Sequence, residues 1–320
     1  MSGGAPLHQI ANIFRPASTP AEAISVLSTL VLLVCLAIFL TVALTLAYTL
    51  VKFRRRPSDA DREPPQVYGS NQIEIAWTVI PVLIVAVLAM ATARVVSEVQ
   101  NRQPTSGAVR VTVIGHQWWW EIRYPDLGIL TANELHVPIS TAERPQETFL
   151  RLESADVAHS FWVPQLAGKT DAIPNHPNSM WIEPKVAGTF LGNCAEFCGM
   201  QHANMLLRIV VESPEDFQRW AAAERLTARR GHPGEQMFLS LSCINCHAVS
   251  GTLATGTFGP DLSHLMSRQT LGAGVIPNTP DNLRRWIREP QTLKPGNLMP
   301  NMQLDDRELD AVHAYLSSLR

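Results

Sequence analysis

The chain has 320 residues, with 26 Lys and Arg against 28 Asp and Glu, for a formal net charge of -2. That length is a prior for two or three domains, and so balanced a charge gives no sign of a nucleic-acid partner. No internal repeat or low-complexity tract interrupts it.

Residues 1–22 lack the basic start and short apolar run of a secretory signal, so no cleavable signal is expected. Residues 23–51 contain no charged side chain. As a helix they cover roughly 43 Å, more than the ~30 Å hydrocarbon core of a bilayer, which predicts a transmembrane span. Cys35 within it reads as a small apolar residue facing lipid or a neighbour, and its Leu-Leu-Val-Cys context lacks the small residue expected before a lipidated cysteine. A second uncharged run, residues 75–93 between Glu74 and Arg94, covers about 28 Å and predicts a second span. Pro81 inside it is tolerable because neighbouring groups in a membrane bundle can satisfy a freed carbonyl. The connection carries Lys52, Arg54, Arg55, Arg56 and Arg62, which places it in the cytoplasm and both chain ends outside.

Beyond the membrane the pattern changes to short β-branched or alternating runs at residues 110–114, 135–139, 148–152, 180–183 and 205–211. Separated by Gly, Pro, Asn and Asp, these predict an antiparallel sandwich or small barrel. A helical pattern opens at Pro214 and runs to about residue 229, before a stretch with Gly231, Pro233 and Gly234. Three further helices are expected. One leads into Cys243; one starts at Thr279 as N-cap with Pro280 at its first position; the last starts at Asp305, with Glu308 completing a capping box ahead of Leu309, Val312 and Leu316. The resulting division is a tail (1–22), a membrane segment (23–97, spans about 23–51 and 74–96), a strand-rich domain (104–222), a linker (223–232) and a small helical domain (233–320).

Two motifs carry the chemistry. Cys194, Cys198, His202 and Met205 lie on one short loop, and His159, at an expected strand end, supplies a second imidazole. Two thiolates, two imidazoles and a thioether form a soft set suited to copper, and two thiolates can bridge a pair of ions. Zinc would accept the Cys2His2 part of this set but does not recruit a thioether. A disulfide between Cys194 and Cys198 is the other alternative, and it leaves the His and Met spacing unexplained. The second motif, Cys243, Cys246 and His247, is the attachment signature of a c-type haem. Met299, in a Pro-Gly-x-x-Met-Pro turn, is the expected second axial ligand, with Met302 and then Met266 behind it. His264 and His313 read as surface or helix histidines. Met/His ligation leaves no open site for a substrate and suits an electron carrier.

These residues resemble subunit II of the haem-copper cytochrome c oxidases, in the bacterial caa3-type form with a cytochrome c fused at its C-terminus. The resemblance covers nearly the whole chain past the tail. It implies a multidomain fold: a two-helix transmembrane hairpin, a cupredoxin-like Greek-key β-sandwich and an all-α c-type cytochrome domain. It also implies a binuclear CuA centre with Cys194 and Cys198 as bridging thiolates, His159 and His202 as terminal imidazoles, Met205 as weak ligand and the Glu196 carbonyl as last donor. The Glu196 carboxylate would hold magnesium shared with subunit I. Trp118, in the segment Gly115-His-Gln-Trp-Trp-Trp120, would be the point where electrons come in from an external donor, and Glu74 would sit at the mouth of a proton channel. Partners implied are subunits I and III, a donor such as cytochrome c or a bc1-type complex, and membrane lipid, in a bacterial inner membrane with both metal domains on the outer side. The chain departs from the family pattern at Trp119, commonly Tyr, and at Asn175, His176 and Pro177, which replace a Gly-Arg pair. A free membrane-anchored redox carrier and the copper module of a nitrous-oxide-type reductase are the rival readings. Neither transmembrane run contains the histidines an oxygen-reducing site needs.

Overall fold

The structure, a computed structural model, describes residues 12–56, 63, 66, 68–228 and 230–320. It divides into two compact units, one of residues 23–101 and one of residues 1–22 with 102–320. The first unit holds most of α1 (Thr19–Lys52) and all of α2 (Asn71–Gln100), of 34 and 30 residues. Both expected spans lie inside these helices, which run on past them because a helix continues into the headgroup zone. Their large apolar side chains, among them Leu33, Phe39, Leu44, Leu83 and Val85, are exposed, which fits segments that bury this surface in a bilayer or against a neighbouring helix. Thr41, Thr45 and Thr49 each donate their hydroxyl to the carbonyl four residues back, which satisfies a polar group where water is absent. Helix α2 continues through Pro81. Arg62, counted above among the basic residues of the connection, lies outside the described residues.

Residues 17–19, at the end of the tail, are bonded into the second unit. Ala17 donates its N–H to the Gln165 carbonyl at 2.8 Å, and Lys185 donates to the Ala17 carbonyl at 2.8 Å. The Glu183 carboxylate accepts from Thr19 and Ser140.

The sandwich has ten strands: β1 (Val109–His116), β2 (Trp119–Tyr124), β3 (Ile129–Ala132), β4 (Glu134–Pro138), β5 (Thr148–Ser154), β6 (His159–Trp162), β7 (Thr170–Ala172), β8 (Asn178–Ile182), β9 (Gly188–Cys194) and β10 (Leu206–Glu212). One sheet has the order β3-β2-β1-β5-β8 and the other β4-β10-β9-β6-β7. The sheets are mixed, which corrects the antiparallel expectation: β1 pairs with β5, and β4 with β10, in parallel. Alternation of side chains reveals a strand but not the direction of its partner, which the crossover between sheets decides. Inward residues Val113, Trp120, Ile122, Leu150, Leu152, Phe161 and Ile209 are sealed from solvent. Each such aliphatic or aromatic burial is worth about 1.5–3 kcal/mol.

Helix α3 (Pro214–Glu224) is capped by Ser213, whose hydroxyl accepts from the Asp216 N–H at 3.1 Å. It ends at Glu224, short of the expected residue 229. Tertiary partners compete for the backbone beyond it: the Leu226 carbonyl accepts from the His264 ring, and the Ala228 N–H goes to Ser250.

The C-terminal domain packs α4 (Glu235–Ser240), α5 (Pro280–Arg288), α6 (Pro290–Leu293) and α7 (Asp306–Ser317) around Phe238, Leu283, Ile287, Val312 and Tyr315. A two-stranded ribbon, β11 (Thr270–Leu271) with β12 (Ile276–Pro277), qualifies the all-α expectation. Both halves of the Asp305/Glu308 capping box form, at 2.8 and 3.0 Å, and Thr279 caps α5.

Candidate metal centres

Strands β9 and β10 form an antiparallel pair whose last rung is Asn193 opposite Leu206, and the Cys194 N–H closes the loop on the Met205 carbonyl at 3.0 Å. The loop between them therefore returns to its starting point, with Cys194 and Met205 at its base. Strand β6 lies beside β9, and the Ala195 N–H donates to the Ser160 carbonyl, so His159 at the head of β6 is carried to the same place. The Cys194 and Cys198 sulfurs stand 3.8 Å apart. His159 Nδ1 lies 3.9 Å from Cys194 Sγ, His202 Nδ1 3.6 Å from Cys198 Sγ, and Met205 Sδ 3.9 Å from Cys198 Sγ. The Glu196 carbonyl is 3.2 Å from Cys194 Sγ, while its side chain is exposed. All the residues named from sequence for this centre converge.

A disulfide would bring the sulfurs to ~2.05 Å, so these cysteines are free. The hydrogen bond from Cys198 holds Cys194 down at about 3, with His159 adding to it, and the same contact pushes Cys198 up. Two free, buried cysteine sulfurs, two imidazoles and a thioether make a soft donor set that fits copper. The far nitrogen of His159 donates to Asp156 Oδ1 at 2.7 Å, which turns Nδ1 toward the sulfurs. Burial lowers the His159 pKa, but Asp156 and Cys194 together outweigh it and raise it. Gly115 makes room for this ring: a Cβ there would lie 2.6 Å from His159 Cδ2. Asp156 was missed from sequence; its position three residues before a candidate ligand was the available signal.

Cys243 and Cys246 flank a single tight turn that brings His247 to the wall of a cavity of about 590 Å³. His247 Nδ1 donates to the Pro260 carbonyl at 2.8 Å, which leaves Nε2 as the free lone pair. Burial lowers its pKa, which favours the neutral ring that ligation needs. A Cβ on Gly259 would strike this ring at 2.6 Å. The cavity's apolar lining, its paired thiols and this histidine fit a covalent haem. Met299 and Met302 both line it. Met299 is fixed by its N–H on Asn297 Oδ1 and by Gln291 donating to its carbonyl, both at 2.8 Å. Met266 does not line the cavity and packs in the domain core. His264 is buried, donating to Leu226, which corrects its reading as a surface or helix histidine: it closes the junction after α3. His313, on α7, donates to the Pro280 carbonyl at 2.9 Å.

The cavity wall is completed from the sandwich, by Gln117, Trp118, Trp119 and Asn133. Trp118 is 9% exposed and donates Nε1–H to the Cys198 carbonyl at 2.9 Å. The resemblance implies an indole facing an external donor; this one faces the chain's own haem cavity, because the C-terminal domain lies over it. Trp119 stacks on His116 at 4.3 Å. Asn175 takes a left-handed backbone, φ 59°, which asparagine tolerates. Glu74 occupies the exposed first turn of α2.

A thiol, imidazole and thioether cluster thus stands beside a pocket that carries the attachment signature of a c-type haem, on a chain with two helices long and apolar enough to cross a membrane. Comparisons agree. The family described as cytochrome C oxidase subunit II, periplasmic domain, matches residues 109–214; its transmembrane domain matches 7–95; and cytochrome c matches 232–320. Cytochrome c oxidase subunit 2 of Alkalihalophilus pseudofirmus is 36% identical over 281 residues, covering 85% of this chain and 80% of the relative. That of Bacillus subtilis is 33% identical over 335 residues, covering 96% and 91%. Among solved structures, the periplasmic domain of subunit II from Bradyrhizobium japonicum aligns at 28% identity over 38% of this chain and 96% of that one, with a TM-score of 0.35. The chain belongs to the cytochrome c oxidase subunit II family and carries a fused cytochrome c domain.

Proposed function

We propose that this chain is the electron-input subunit of a respiratory terminal oxidase. It takes electrons from an external donor, such as cytochrome c or a bc1-type complex, and delivers them to subunit I, where oxygen is reduced to water with proton pumping. Copper and haem, when bound, supply reversible one-electron transfer. His159, Cys194, Cys198, His202, Met205 and the Glu196 carbonyl would hold the copper pair; Cys243, Cys246, His247 and Met299 would hold the haem. Asp156 and the Pro260 carbonyl fix the two histidine rings, which limits their reorganisation. The observation that carries the reading is Trp118, whose indole links the Cys198 carbonyl to the haem cavity wall.

Finer assignments follow the same reading. The exposed Glu196 carboxylate, beside the copper loop, would hold magnesium at a junction with subunit I. Glu74, ionisable and near a membrane boundary, would serve a proton channel there. Subunit III and lipid complete the assembly, in a bacterial inner membrane, with both metal domains outside as the basic connection after α1 argues.

The test is isolation of the tagged full-length chain from its native membrane. Co-isolation of a haem-copper subunit with oxygen uptake supports the reading. A chain that purifies alone, with both metals loaded, makes it a free redox carrier.

A further inference from the structure

Lys294 follows α6 and opens the turn that leads to Met299. It is 3% exposed, and its ammonium meets three carbonyls: Trp118 at 2.8 Å, Asn204 at 2.8 Å and Gly272 at 2.9 Å. An ammonium has three donors and no acceptor, so this set saturates it. Burying a cation costs free energy that an apolar side chain of similar length would avoid, so mere filling of space does not account for a lysine here. The partners do. Trp118 belongs to the wall between copper loop and haem cavity, Asn204 lies on the copper loop one residue before Met205, and Gly272 belongs to the cytochrome domain itself.

We propose that Lys294 is a positioning residue, a latch that seats the methionine loop of the cytochrome domain on the copper loop. The proposal rests on the reading of both loops as metal-bearing. Neighbouring contacts run the same way. Gln201, on the copper loop, donates to the Pro295 carbonyl, and the Leu206 N–H crosses to the Ala273 carbonyl at 3.1 Å. Glu134, buried in the sandwich, accepts from the N–H groups of Gln269 and Thr270 at 2.8 and 3.0 Å, and Arg208 reaches Thr270 Oγ1 at 2.8 Å. The Glu134 and Arg208 bonds join scaffold to scaffold, and Gln201 joins the copper loop to the methionine loop at Pro295. Lys294 joins the same two loops and adds the Trp118 backbone to them. With it in place, the two loops form one body and need no docking search before each transfer.

The decisive variant is Lys294→Met in the intact, metal-loaded oxidase, read by amide hydrogen exchange. We expect exchange at Leu206, Gln269 and Thr270 to rise about tenfold or more, while amides in β1 and α7 and both metal spectra stay unchanged. That pattern separates a latch from general loss of fold, which would raise exchange everywhere. If Lys294→Met does not load haem, Lys294→Gln, which keeps two donors, carries the same expectation at about threefold. Unchanged protection across the seam in the loaded variant overturns the latch. Oxygen uptake by the wild-type complex is a separate readout: its absence counts against the proposed function, whereas an unlatched seam in an active complex does not.

Discussion

Trp118 donates its indole N–H to the carbonyl of Cys198 at 2.9 Å, so the ring that walls the haem cavity hangs from the backbone of a copper-loop cysteine. A second donor, the Gln117 side chain, reaches the same carbonyl at 2.7 Å. The bond fixes the ring between the two centres and makes its loss measurable.

Replacing Trp118 with Gln should slow haem-to-copper transfer by at least tenfold while leaving copper and haem content intact. Flash reduction of the haem, followed at the copper band, reads this out. An unchanged rate removes the indole from the route.

Asp156→Asn should weaken copper binding by about 10- to 100-fold, the usual effect of losing a carboxylate behind a ligating histidine. The amide can still accept a hydrogen bond, but it no longer stabilises the ring electrostatically. Copper titration of the variant against wild type measures the effect, with the haem spectrum as internal control.

Met299→Ala should abolish the sulfur-to-iron band and lower the haem potential, whereas Met302→Ala should leave both nearly as they are. Both side chains line the cavity, but the Met299 backbone is pinned by Asn297 and Gln291. The opposite pattern would exchange their roles.

Much of both sites was legible because ligand chemistry is local. Cys194 to Met205 and Cys243 to His247 announce themselves by spacing, and caps such as Thr279 and Asp305 need only neighbours in sequence. Contacts made by the fold were not legible. Lys294 in sequence is one lysine before a turn, and nothing local says that its amine ends on Trp118, 176 residues away. The parallel pairing of β1 with β5 was hidden for the same reason, and the early end of α3 reflects Ser250 and His264, distant partners that outcompete helix propensity.

Glu183 should contribute a pH dependence of the sandwich. Burial raises its pKa, but hydrogen bonds from Thr19, Ser140 and Lys185 together outweigh that and leave it lowered. Since the unfolded chain binds the proton at higher pH than the folded one, this contribution is present above the ordinary glutamate value of 4.5 and is lost as pH falls through the lower folded value. Thermal melts from pH 6 to 3 should show a shallower acid loss in Glu183→Gln than in wild type. Parallel curves would contradict the assignment.

On the proposed reading, an electron passes within this chain from the haem site to the copper site. Laser-flash reduction of the haem in the intact, loaded protein decides this, with copper absorbance followed over a tenfold range of protein concentration. We expect a first-order copper reduction whose rate does not change on dilution and changes little with salt, because both loops lie in one packed unit. A second-order reduction that slows in proportion to dilution, or a copper signal that does not respond to haem reduction, would contradict it.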